Sequence, residues 1–154
     1  MSFLHRVCAA LARARVRYAV VGGYAVALHG AVRGTVDVDI VLTWRKESLV
    51  RAEQALLEIG LVSRLPVSAN EVHEFRREYI ENRDLVAWNF YNPTDPSEQV
   101  DVIIAYDLAN GRTQKVQTEQ GPISLLGRRD LIEMKRESGR PQDLEDVRAL
   151  ESLG

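Results

Sequence analysis

The residues able to do chemistry lie close together in this sequence. Gly22-Gly23 is followed, after thirteen intervening residues, by Asp37-Val38-Asp39-Ile40. Glycine lacks a Cβ, so its backbone amide can approach a bound phosphate closely. Asp37 and Asp39 stand two apart in a β-branched stretch and point to one face of a strand, roughly 7 Å apart at Cα. At an effective dielectric of 20, two such charges repel by about 2 kcal/mol. A divalent cation converts that repulsion into binding, and magnesium favours one or two carboxylates completed by phosphate oxygens. With the glycine turn, this spacing points to a protein that handles a nucleoside triphosphate.

Asp101 offers a third carboxylate. It interrupts the apolar run Val100-Asp101-Val102-Ile103-Ile104, where an unpartnered buried acid is costly. If this strand lies beside the Asp37 strand, the cross-strand gap of about 5 Å brings Asp101 into the cluster. Three carboxylates can hold two metals ~3.5–4 Å apart, an arrangement suited to in-line phosphoryl transfer. The plainer reading stands beside this one. Asp-x-Asp is common on solvated strand faces, and water satisfies an acid at a strand edge. Asp107 reads as a turn residue. Asp37 to Val41 matches the Asp-x-Asp-x-Val of dehalogenase-like phosphatases literally. However, Arg33-Gly34-Thr35 occupies the place of the buried strand that such a nucleophile follows. Sugar-nucleotide glycosyltransferases also use Asp-x-Asp, usually in longer chains. There is no Gly-Lys-Ser/Thr phosphate loop, and His73-Glu74 lacks the second histidine of a zinc protease.

Cations for the phosphates come from three places. Arg33 precedes the acidic strand and either neutralises phosphate or pairs with an acid. Lys135 can reach a triphosphate as a point charge. Arg140 either contacts nucleotide or holds Asp143 or Asp146. Spacing alone favours ordinary surface charges for the last two, because exposed pairs contribute little. His29 reads as a helix-end packing residue. His5, His73, Trp44 and Trp88 read as packing or surface residues.

The elements that must position these groups follow from periodicity. Ser2 to Ala14 reads as an amphipathic helix with Leu4, Val7, Cys8 and Leu11 on one face. Tyr18 to Val21 is a short buried strand. Gly22-Gly23 turns the chain into a helix from Tyr24 to His29. Val36 to Thr43 is a second strand. Glu47 to Ile59 is a helix with Leu49, Val50, Leu56 and Leu57 inward and Gly60 at its end. Ser68 or Asn70 caps a helix from about Glu71 to Ile80. Leu85 to Tyr91 and Gln99 to Ile104 form a hairpin with an extended loop through Asn92 to Pro96. A short strand at Pro122 to Leu126 precedes two helices, Arg129 to Glu137 and Gln142 to Leu150, separated by Gly139-Arg140-Pro141.

Composition narrows the class. The 154 residues suit one domain, 1–154, with a real core. A net charge of -2 does not mark a general nucleic-acid binder. Cys8 is the only cysteine, which excludes an internal disulfide and a cysteine metal cluster. Arginines punctuate the N-terminal apolar positions, unlike a secretory signal, and no stretch approaches the ~20 apolar residues of a membrane span. A cytoplasmic protein without membrane contact is expected.

Taken together, Gly22-Gly23, Asp37-Val38-Asp39-Ile40 and the strand acid Asp101 resemble the DNA polymerase β-like nucleotidyltransferase superfamily. The fuller run Gly22-Gly23-Tyr24-Ala25, His29-Gly30, Arg33, Thr35 is similar to the minimal nucleotidyltransferases grouped with the AbiEii/AbiGii toxins. So is Leu131 to Lys135 with Gly139-Arg140, Asp143 and Asp146. Many relatives carry serine after the first glycine, where this chain has Gly23. The resemblance implies an α/β (α+β) fold: a small mixed sheet flanked by helices, with a C-terminal helical pair. It implies transfer of a nucleoside monophosphate from a triphosphate to a hydroxyl, supported by Mg2+ or Mn2+. Asp37, Asp39 and Asp101 would be the catalytic, metal-binding acids, and Asp101 would help activate the acceptor. Gly22, Gly23, Arg33, Lys135 and Arg140 would hold the nucleotide. The implied partners are the triphosphate, an acceptor on RNA, protein or a small molecule, and a cognate antitoxin. The competing expectation is a binding module that keeps the fold without turnover.

Overall fold

The computed structural model describes residues 1–30, 37–82 and 86–153; Arg33 and Thr35 lie outside them. Helix α1 (Phe3–Arg13) starts at Ser2, whose hydroxyl accepts from the His5 amide. It buries Leu4, Val7, Cys8 and Leu11, the face that their three- and four-residue spacing predicts. Strand β1 (Tyr18–Val21) is buried along its length and runs into α2 (Gly22–Leu28). The glycine pair therefore forms the first turn of that helix instead of preceding it. Strand β2 (Val38–Leu42) follows, then α3 (Lys46–Glu58).

The buried face of α3 is Leu49, Ala52, Ala55 and Leu56, while Leu57 is exposed. The small Ala52 and Ala55 let the helix lie close, and Leu57 falls one position outside the stripe. Beyond it lies the two-residue β3 (Val62–Ser63). The single helix expected over 71–80 is two: α4 (Ala69–Glu74), closed by Phe75, and α5 (Arg76–Asn82). Ser68 caps α4 through a reciprocal capping box with Glu71.

Strands β4 (Ala87–Asn92) and β5 (Asp95–Asp107) form a hairpin. Asn92 pairs with Asp95, so the turn is only Pro93-Thr94, far tighter than the extended loop expected. Asp107 ends β5 and accepts from the Ala109 amide, a turn role. Strands β6 (Thr113–Thr118) and β7 (Gly121–Leu126) follow. Then come α6 (Arg128–Ser138) and α7 (Pro141–Glu151). Gly139, at φ 65, closes α6, and Pro141 opens α7.

Among the described residues, the strands form one mixed seven-stranded sheet in the order β3-β4-β5-β2-β1-β7-β6. β2 runs parallel to β5 and antiparallel to β1, and β1 runs parallel to β7. Val38, Ile40, Val100, Val102, Trp88 and Phe90 lie in register on one face, all fully buried. The other face carries Asp39, Asp101 and Asn89, each half-buried. This is the α/β architecture expected, a mixed sheet with flanking helices and a helical pair at the C-terminus. Among the described residues, no helix is long and apolar enough to cross a membrane.

Candidate functional site

Strand register sets the site. Val21 pairs with Asp39, Asp39 with Asp101, and Asp101 with Asn89. The two acids are direct neighbours on parallel strands, about 5 Å apart at Cα. Asp37 lies just before β2 and is exposed.

Gly22 closes over Asp39. It sits at φ 69, in the left-handed region, and a Cβ placed on it would lie 2.1 Å from Asp39 Oδ2. Both facts require glycine here. The pair therefore divides its work: Gly22 supplies the strained turn and the close approach to the carboxylate, and Gly23 is buried in the first helical turn.

Asp39 is electrostatically loaded. Its pKa is pushed up to about 7, first by burial, then by the charges of Asp101 and Asp37; Lys135 and Arg140 pull it back down. Asp101 Oδ1 accepts from Asn89 Nδ2 at 2.8 Å. Among the described residues, no three His, Cys, Asp or Glu side chains are gathered tightly enough to enclose an ion by themselves. The donor set nevertheless fits magnesium. It is made of hard carboxylate oxygens in mutual repulsion, beside an open cavity where phosphate oxygens can complete the shell.

That cavity, about 650 Å³, is bounded by Gly22, Gly23 and Asp39 at one side and by Lys135, Arg140 and Asp143 at another. Its apolar wall arises from an irregularity in the sheet. Ile40 pairs with Val102 but Leu42 pairs with Asp107, so β5 has three more residues than β2 in between. Ile103, Ala105 and Tyr106, from this extra length, line the cavity opposite Leu131 and Met134 of α6. Gly22, Gly23, Asp39, Lys135 and Arg140 thus share one cavity. Asp101 adjoins it through Asp39, and Arg33 lies outside the described residues.

Lys135 is not the surface charge that helix spacing favours. It is 8% exposed, with Nζ 2.9 Å from Asp146 Oδ2 and 3.5 Å from Asp143 Oδ1. Arg140 Nε donates to Asp143 Oδ2 at 2.7 Å, yet its side chain remains 77% exposed. Burial alone would raise the Asp143 pKa, but the Arg140 hydrogen bond and the Arg140 and Lys135 charges outweigh it and hold it low. Lys135 of α6 therefore ties that helix to Asp143 and Asp146 of α7, while Arg140 holds Asp143 locally from the start of α7.

The remaining candidates are structural. His29 caps α2 and its Nε2 bonds the Leu126 carbonyl at 2.8 Å. His5 bridges Ser2 and Thr118. Trp88 is core, and Trp44 lies under the Arg76 guanidinium. Asn89 is the residue that sequence reasoning missed. Its signal was a lone amide in Ala87-Trp88-Asn89-Phe90-Tyr91, at the alternating position that faces away from the core.

No family model and no curated protein sequence matches the chain. Solved structures do. The crystal structure of ANT(2'')-Ia in complex with adenylyl-2''-tobramycin is 15% identical with a TM-score of 0.59, over 97% of this chain and 87% of that one. The solution structure of the antibiotic-resistance factor ANT(2'')-Ia gives 0.61 at 14% identity, over 99% and 83%. A nucleotidyltransferase-like protein from Paracoccidioides brasiliensis gives 0.54 at 16%, over 97% and 77%. The fold is that of the nucleotidyltransferases. At these identities the likeness is one of fold alone.

Proposed function

We propose that the chain is a single-domain, metal-dependent nucleotidyltransferase that moves a nucleoside monophosphate from a triphosphate to an acceptor hydroxyl. The observation that carries the reading is the register pair Asp39–Asp101 beside Gly22, at the rim of a cavity whose far side bears Arg140 and Lys135.

In the reaction, the acceptor oxygen bonds to the α-phosphorus. The bond from that phosphorus to the bridging oxygen breaks, and pyrophosphate leaves with the electron pair. Asp101, beside Asp39, would take the acceptor proton. Gly22, whose missing Cβ admits Asp39, and Gly23 would present the backbone of the first turn of α2 to the phosphates. Arg140, largely exposed in the cavity, is the better-placed cation for triphosphate oxygens. The Lys135 ammonium is committed to Asp143 and Asp146 as the protein stands. Asp37, Asp39 and Asp101 would hold Mg2+ or Mn2+, which would neutralise charge developing on the phosphates.

The acceptor is a hydroxyl on RNA, on a protein or on a small molecule. The resemblance to AbiEii-like proteins, and the adenylylated tobramycin held by a structural neighbour, are the two leads to its class. On the first lead the protein is a cytoplasmic toxin held by a cognate antitoxin. Incubation of the protein and Mg2+ with each labelled triphosphate, plus total cellular RNA, protein or aminoglycoside, tests the reading. Label is expected in one fraction with wild-type protein and in none with Asp39→Ala. Equal labelling by both proteins would count against it.

A further inference from the structure

The row of paired residues that contains the two acids continues beyond them. From Asp101 it passes to Asn89 on β4 and ends at Arg64, just past β3 on the sheet edge. Arg64 Nε donates to Asn89 Oδ1 at 2.8 Å, and the Arg64 amide donates to the Asn89 carbonyl at 2.9 Å. Its guanidinium lies 4.4 Å from the centre of the Tyr91 ring, which fixes the plane of the fork.

Arginine has donors and no acceptor. The Asn89 oxygen must therefore face Arg64, and the Asn89 NH2 must face the other way. Its two hydrogens then meet Asp101 Oδ1 at 2.8 Å and Gln99 Oε1 at 3.2 Å. Every polar atom of this amide is used, and its orientation is settled by a cation that cannot accept. One Asp101 oxygen is thereby pinned on the β4 side.

We propose that Asn89 is the positioning residue for Asp101, and that Arg64 sets the direction of its amide. The relay Arg64–Asn89–Asp101 holds the carboxylate so that its second oxygen remains available for a divalent cation or the acceptor proton. The inference rests on the nucleotidyltransferase reading and adds to it two residues that reading does not use, Asn89 and Arg64. Partners of this kind, which orient a ligand without touching the ion, typically change metal affinity by roughly 10–100-fold when removed.

The test is Mn2+ binding, followed by electron paramagnetic resonance with a non-hydrolysable ATP analogue present. The proteins are wild type, Asn89→Ala, Arg64→Met and the double variant, each with a melting curve. Methionine keeps an apolar stem on Tyr91 and removes the donor. Asn89→Ala is expected to weaken Mn2+ binding by roughly 10-fold or more, and Arg64→Met by less. The double variant should bind no more weakly than Asn89→Ala alone, since Arg64 acts only through the amide. Unchanged Mn2+ affinity in folded Asn89→Ala overturns the proposal. So does additive loss in the double variant. If Asn89→Ala does not fold, unchanged affinity in Arg64→Met overturns the proposed relay. Wild-type protein that adds no Mn2+ binding to that of the analogue alone overturns the nucleotidyltransferase reading itself, and the inference with it.

Discussion

Asp39 concentrates the electrostatic tension of the site. With a folded-state pKa of about 7 against an ordinary 3.8, the folded chain favours its neutral form. The stability this gives is fully present below the ordinary carboxylate range and is lost as pH rises through about 7. Metal-free protein should therefore melt lower at pH 8 than at pH 5.5 on account of this group. Asp39→Asn should abolish nucleotide-dependent Mn2+ binding and yet raise the metal-free melting temperature at pH 8, by roughly 4–8 °C for about 2 kcal/mol. Calorimetry at the two pH values checks both. The same linkage makes wild-type metal affinity rise with pH up to about 7, as binding expels the Asp39 proton. Gly22→Ala combines a left-handed backbone with a clash against Asp39 Oδ2. It should cost roughly 1–3 kcal/mol of stability and remove Mn2+ binding, both readable by denaturation and resonance titration. The acids were legible in the sequence because a lone aspartate in an apolar run has few structural excuses. Which glycine bears the strain was not legible, because φ at a Gly-Gly pair depends on what packs over it.

At the scale of elements, the α6–α7 hairpin depends on a buried cluster of charges, Lys135 with Asp143 and Asp146. Lys135→Met removes one cation and leaves Asp143 and Asp146 with less compensation in a buried setting. Breaking a buried pair on one side typically costs about 3–5 kcal/mol, and urea denaturation should show a loss of that order. The Asp143 pKa is depressed, so its contribution is present above the ordinary carboxylate range and fades as pH falls through its lowered value. The two helices were readable from Gly139, Pro141 and their apolar spacing. The burial of Lys135 was not, because it arises from residues eight and eleven positions on, which are brought back by the helical turn. Periodicity also missed β6, a polar edge strand whose Thr113 to Thr118 side chains are mostly exposed. It missed β3 as well, too short at two residues to carry a pattern. It merged α4 with α5, because Phe75 ends the first helix without a glycine or proline to mark the stop.

Over the whole molecule, a mixed sheet brings together acids that are sixty-two positions apart in sequence, Asp39 and Asp101. The strand order that does this was expected only conditionally, since no local signal states which strands become neighbours. The assembled cavity predicts linkage between ligand and fold. A nucleoside triphosphate at about 100 times its dissociation constant should stabilise the protein by about 2.7 kcal/mol. That raises the melting temperature by roughly 5–11 °C with Mg2+ and by much less with a chelator. Thermal scans with and without EDTA check this.

The central claim is that the α-phosphoryl group, with its nucleoside, is what moves. It is tested most directly by presenting the same triphosphate labelled either at the α- or at the γ-phosphorus, with Mg2+ and cellular acceptors. The account predicts acceptor label from the α-position, all γ-label released in pyrophosphate, and neither transfer with Asp39→Asn. Acceptor label from the γ-position, or α-label transferred equally by Asp39→Asn, would contradict it.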